Sequence, residues 1–149
     1  MKAHKTFSSA ETKVFGEKLA KKFTTPYSSR GALILALSGE LGSGKTTFTQ
    51  GFLRGLGIRK KTTSPTFIIF RRFAVKSTWF KNLYHVDAYR LKKPRELAAL
   101  GFKEILRDPK NIVLIEWAEN IKSILPKNAL WLRFHHGKKE NEREIKFSA

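Results

Sequence analysis

The apolar run at residues 32–37 leads straight into Gly39-Glu40-Leu41-Gly42-Ser43-Gly44-Lys45-Thr46. The second stretch fits the pattern G-x-x-x-x-G-K-[ST], and the order of the two segments constrains the fold more than any other feature of the chain. A strand that is apolar at every position is buried on both faces of a sheet. A glycine-rich loop can then turn its N–H groups inward as an anion nest, and a helix opens with the positive end of its dipole facing the same point. Glycine lets this backbone close around phosphate where a Cβ would obstruct it. Lys45 adds a mobile charge for β- and γ-phosphates, and the Thr46 hydroxyl is an oxygen of the kind that ligates Mg²⁺. Residues 47–53 continue as a helix, with Phe48 and Phe52 one turn apart. Gly39, Leu41, Gly42, Ser43, Gly44, Lys45, Thr46 and Thr47 are the expected phosphate-binding set.

Ser8-Ser9-Ala10-Glu11 fits a capping box, and Phe15, Leu19 and Phe23 follow at helical spacing. A first helix is expected from there to Thr25-Pro26. Residues 28–31 read as a turn, 62–66 as a loop, and 67–73 and 80–86 as strands, the latter ending at Asp87. A short helix starts at Pro94 and closes around Gly101. Residues 112–115 are all apolar, which marks a central parallel strand closed by Glu116. A short helix over 118–124 stops at Pro126, and 129–134 pairs with 143–147 as a hairpin around His136-Gly137-Lys138. The expected fold is α/β: a P-loop NTPase-like sheet with central parallel strands flanked by antiparallel strands, in a single domain over all 149 residues.

In open α/β sheets, ligands bind outside the carboxyl ends of the strands. That brings together the loop after Leu37, Asp87 and Glu116. Thr46 and Glu116 are the candidate Mg²⁺ ligands, although an aspartate is more usual at the second position. The competing reading makes Glu116 a helix cap or an ion-pair partner. Asp87 is placed to orient a water at the γ-phosphate, or simply ends its strand. His85 shares its face, but no third group stands at metal-ligand spacing. Ser64-Pro65-Thr66 reads as a plain turn or as a switch-like loop, and Trp117 as a base-stacking or a core residue. His4, His135 and His136 read as surface residues.

Thirty basic residues against 12 acidic give a net charge of +18, a field that favours polyanions. The lysines and arginines fall in short scattered groups without an RNA-binding module, so a solvated basic surface is an equal reading. The absence of cysteine excludes disulfides, thiolate zinc sites and thiol catalysis. No apolar run approaches the ~20 residues of a membrane span. No apolar segment of the signal-peptide kind follows the basic N-terminus, and a cytoplasmic location is expected.

The loop with Thr47-Phe48, then Thr63-Ser64-Pro65-Thr66-Phe67, His85-Val86-Asp87-Ala88-Tyr89-Arg90-Leu91 and Ile115-Glu116-Trp117-Ala118-Glu119 occur in that order. The set resembles the bacterial TsaE (YjeE) family over nearly the whole chain. The resemblance implies a P-loop ATPase that uses ATP and Mg²⁺ to support threonylcarbamoyl modification of adenosine in tRNA. It implies two protein partners, a TsaD-like transferase subunit and its inactive TsaB-like homologue, and leaves room for tRNA within that complex but none for a membrane. By position, Lys45 and the loop amides would hold phosphates, Thr46 and Glu116 would ligate Mg²⁺, and Asp87 would serve hydrolysis. Thr66 matches the family's switch-like threonine, and Ser9, Thr12 and Arg143 fall where the family approaches its nucleotide.

Two other functions use the same loop. A small-molecule kinase would need a lid and arginines over the transferred phosphate, for which only Arg90 and Arg143 stand out. A basic, nucleotide-regulated RNA-binding protein would need little turnover. No N-K-x-D-type signature of a GTPase is present. With no arginine finger evident, hydrolysis by the isolated chain is expected to be slow.

Overall fold

A computed structural model describes residues 2–23, 30–59 and 70–148. The elements are β1 (Ala3–Thr6), α1 (Ser9–Lys22), β2 (Leu33–Gly39), α2 (Lys45–Gly55), β3 (Phe70–Ala74) and β4 (Asn82–Asp87). They continue with α3 (Arg95–Ala98), α4 (Phe102–Arg107), β5 (Asn111–Glu116), a 3₁₀ segment (Ala118–Ile124), β6 (Leu130–His136) and β7 (Arg143–Ser148). The strands form one seven-stranded sheet in the order β1-β7-β6-β2-β5-β4-β3. β6, β2, β5 and β4 run parallel; β3 pairs antiparallel with β4 at one flank, and at the other β7 pairs antiparallel with β6 and β1 antiparallel with β7.

Alternation along β2 divides the interior. Leu33, Leu35 and Leu37 face one side, with Phe48, Phe52 and Phe134, under α1 and α2. Ile34 and Ala36 face the other, with Val113, Ile115, Leu97 and Phe102, under the short helices. Both faces of β2 and β5 are therefore covered, which is why residues 33–37 of β2 and 112–115 of β5 are all apolar and polar residues fall only at the strand ends.

α1 starts where the capping residues direct it. The Glu11 amide donates to Ser8 Oγ at 3.1 Å, and the Glu11 carboxylate accepts from the Phe7 amide at 2.7 Å, one residue before the usual box. α1 then lies directly on α2. A Cβ at Gly51 would fall 1.9 Å from the Lys13 carbonyl oxygen, so the helices touch through bare backbone. That contact carries the first turn of α1 up beside the start of α2.

Several details differ from the sequence expectation. β1 was not anticipated: three of its four residues are exposed, and an edge strand of that kind leaves no hydropathy pattern. β4 begins at Asn82 and includes Asp87. The helix expected to close around Gly101 is two helices, since Gly101 takes a left-handed conformation and opens α4. α1 ends at Lys22. The expected strand over 67–73 is described from Phe70 onward. The Ser64-Pro65-Thr66 loop and the expected helix stop at Thr25-Pro26 lie outside the described residues.

Candidate phosphate-binding site

β2 ends at Gly39, and the chain turns through Glu40 to Ser43 before α2 begins at Lys45. Gly44 precedes the helix at φ 103°, a left-handed conformation that a side chain would strain. The first amides of α2 thereby open towards the cleft above the loop.

Lys45 is buried, with 5% of its surface exposed. Its ammonium donates to the Gly39 carbonyl, to the Glu40 carbonyl at 2.9 Å and to Ser43 Oγ at 3.3 Å. It also stands 3.9 Å from the centre of the Trp117 ring. Burial lowers its pKa below the ordinary lysine value, and the charges of Glu119, Glu116 and Asp87, in that order, oppose the shift. Three acidic side chains thus share one cation.

Glu116, at the end of β5, is 3% exposed. Thr46 Oγ1 donates to its Oε1 at 2.7 Å, and His85 Nε2 meets its Oε2 at 2.6 Å. Asp87 pairs with Glu116 across β4 and β5, so the two carboxylates start from the same level of the sheet. The Asp87 carboxylate accepts from the Tyr89 amide at 3.0 Å. The strand ends are tied by the Ala88 amide on the Glu116 carbonyl at 2.9 Å, and by Asn120 Nδ2 on the Ala88 carbonyl at 2.9 Å.

Trp117 follows directly. It is the only non-glycine among the described residues with positive φ, at 59°. That left-handed turn sets its indole over Lys45 and 4.8 Å from the Tyr89 ring, while the partly buried side chain also packs against the core under the short helices.

The cleft above the loop holds about 220 Å³. Its walls include Leu41 to Thr47, Trp117, Ser9 and Thr12 from α1, and Asn141 and Arg143 from the closing hairpin. The structure thus brings Ser9, Thr12 and Arg143 to the loop. Thr12 arrives with its hydroxyl engaged, 2.7 Å from Thr6 Oγ1 and donating to the Ser8 carbonyl at 3.2 Å. Arg143 donates to the Gly42 carbonyl at 3.0 Å and to the carbonyls of Glu140 and Glu142 at 2.6 and 2.8 Å. Gly39, Asp87 and Glu116 are not among the residues that line this cleft, and Thr66 lies outside the described residues. Of the histidines expected at the surface, His4, His135 and His136 are exposed.

Two participants were missed. Asn141 sits in a polar turn with no sequence signal. The sequence places His85 only beside Asp87, whereas its partner lies 31 residues away on the next strand.

The family model described as "Threonylcarbamoyl adenosine biosynthesis protein TsaE" matches residues 6–145. The chain belongs to the TsaE family. The tRNA threonylcarbamoyladenosine biosynthesis protein TsaE of Bacillus subtilis is 37% identical over 97% of this chain and 84% of its own length. The protein of the same name from Haemophilus influenzae is 37% identical over 75% of this chain and 68% of its own. The crystal structure of Bacillus subtilis YdiB superposes with a TM-score of 0.75 at 32% identity, covering 99% of this chain and 84% of that one. The matched region holds the phosphate loop, the Asp87 and Glu116 strand ends and Arg143, so the site belongs to the TsaE-like body of the chain.

Proposed function

We propose that this chain binds ATP with Mg²⁺ over the phosphate loop and hydrolyses it in support of tRNA threonylcarbamoyladenosine biosynthesis. A TsaD-like transferase subunit and its TsaB-like homologue are the proposed partners, in the cytoplasm, with the whole chain acting as one ATPase domain. Among the described residues no helix is long and apolar enough to cross a membrane. The observation that carries this reading is the Thr46–Glu116 contact at 2.7 Å beside the buried Lys45, at the opening of α2.

The donor set fits magnesium. A hydroxyl and a carboxylate in contact are hard oxygens, and no cluster of three His, Cys, Asp or Glu side chains with metal-binding geometry exists among the described residues. That suits an ion completed by substrate phosphate and water rather than a cage made of protein alone. Thr46 and Glu116 would hold it, and when bound it neutralises charge that develops on the phosphate oxygens.

The remaining work falls to the chain. The loop amides and the first turn of α2 bind the phosphate oxygens. Lys45, already largely withdrawn from water, exchanges its carbonyl partners for phosphate oxygens, and its charge acts strongly in that setting. Asp87 orients the attacking water from the rim. Ser9, Arg143 and the Thr12 methyl side position the nucleotide, and the Thr66 loop is assigned the γ-phosphate contact by its match to the family pattern. The Arg143 guanidinium is engaged by three carbonyls, consistent with slow hydrolysis in isolation.

The test is phosphate release from ATP by the chain alone and with the two partners and tRNA. Slow turnover that rises in the full mixture is expected. Transfer of the γ-phosphate to a small-molecule acceptor would replace this reading with a kinase.

A further inference from the structure

We infer that His85 is the positioning residue for Glu116, holding the carboxylate so that one oxygen stays turned toward Thr46 as a ligand for the nucleotide-bound divalent cation. The inference rests on the ATP–Mg²⁺ reading and assigns a role to a residue that this reading leaves unused.

The starting point is a chemical difference. A glutamate at the end of β5 has one more methylene than an aspartate, and one more torsion through which its carboxylate can turn. A ligand that swings costs affinity, because its rotamer must be fixed on binding. The structure shows the missing anchor. His85 lies on the adjacent parallel strand, opposite Leu114 and one side-chain step below Glu116 on the same face. Its Nε2 meets Oε2 at 2.6 Å, while Oε1 is left for the Thr46 hydroxyl at 2.7 Å. Each carboxylate oxygen therefore has one assigned direction. With a carboxylate opposite, Nε2 is the donor.

Burial makes this arrangement specific. The side chains of His85 and Glu116 are each only 4% exposed, so water cannot replace either partner. Two polar groups withdrawn from water contribute little to stability over an apolar pair of the same volume. Asp87, at the same level on the neighbouring strand, is half-buried, whereas Glu116 is almost fully withdrawn from water. A buried histidine stands behind the carboxylate that touches Thr46. Outer partners of this kind keep a ligand's orientation, and their loss typically weakens metal affinity by about 10–100-fold.

The experiment titrates ADP into the full-length protein by calorimetry across a Mg²⁺ series and in EDTA, for wild type, His85→Leu, His85→Gln and His85→Asn. The Gln side chain carries an amide donor near the Nε2 position, whereas Asn falls short of it. Expected is a rise of about 10–100-fold in the Mg²⁺ concentration that half-maximally tightens ADP binding for the Leu and Asn variants. Recovery close to wild type is expected for Gln, with ADP affinity in EDTA equal for all four. Equal Mg²⁺ midpoints in all variants would overturn the inference. So would a loss of ADP affinity that is the same with and without Mg²⁺, because that is the mark of a packing role. Should His85→Leu fail to fold by circular dichroism, Gln and Asn carry the test, and identical behaviour of those two is the overturning result. A wild type whose ADP affinity ignores Mg²⁺ would instead bring down the metal reading of the site, and the His85 role with it.

Discussion

The ends of β4 and β5 start from the same level of the sheet and are treated in opposite ways. Asp87 and Glu116 are register partners, and both charges act on Lys45. Glu116 is almost fully withdrawn from water and held by a hydroxyl on one oxygen and an imidazole on the other. Asp87 is half-buried and accepts a backbone amide two residues on. A carboxylate fixed at both oxygens is suited to a constant task such as holding an ion. One at the rim can follow a small moving molecule. The sheet supplies the placement of both, while burial supplies the difference.

The sharpest way to break this comparison is to remove the cation on which the two acids converge. Lys45→Ala should abolish measurable ATP hydrolysis and weaken ADP binding, as read by phosphate release and calorimetry. Normal turnover in that variant would show that neither acid faces a phosphate site. Next in size, Glu116→Gln should lower turnover by about 10³-fold, the upper end of what a single electrostatic group contributes. It should also remove the Mg²⁺ dependence of ADP affinity. Asp87→Asn should lower turnover by about 10²-fold, within the range for a positioned proton acceptor, while leaving Mg²⁺-dependent ADP binding intact. If the two variants exchange these phenotypes, the roles assigned to the two strand ends are reversed.

The same pair shows where the sequence was legible. Residues 32–37 and 112–115 could be read as central strands because a parallel strand covered on both faces has no room for a polar residue. The acids that end such runs were visible for the same reason, since polarity returns where the sheet meets the cleft. The His85–Glu116 contact left no trace, because it depends on which strands become neighbours and in what register. β1 was hidden for a different reason: its pairing with β7 uses backbone groups, and only Thr6 of its side chains is buried. α4 did carry a signal, Phe102 and Leu106 one turn apart after Gly101, and both are buried. Arg143 came from the family pattern, and its hydrogen bond to the Gly42 carbonyl explains how a residue 101 positions away joins the loop.

The smallest effect concerns stability, and it measures how unequally the two acids act on Lys45. In the unfolded chain the ammonium titrates at its ordinary 10.5. In the folded chain burial lowers that value, with Glu119, Glu116 and Asp87 opposing it in decreasing order. Between the folded value and 10.5 the unfolded state holds more protons, so folding stability rises with pH across that window. Below the window both states are charged and the full cost of burying the ammonium persists. Lys45→Met has no such titration, and every other group cancels in the difference between the two proteins. The stability of wild type relative to Lys45→Met, from urea melts between neutral pH and pH 10.5, should therefore climb with pH. Removing an opposing charge lowers the folded value further and moves the start of the climb to lower pH. Glu116→Gln should move it more than Asp87→Asn, because the carboxylate of Glu116 has the larger influence on the ammonium. A flat difference would mean that the lysine has the same affinity for its proton folded and unfolded. Equal displacement by the two variants would mean that the strand ends differ in burial but not in their hold on the cation.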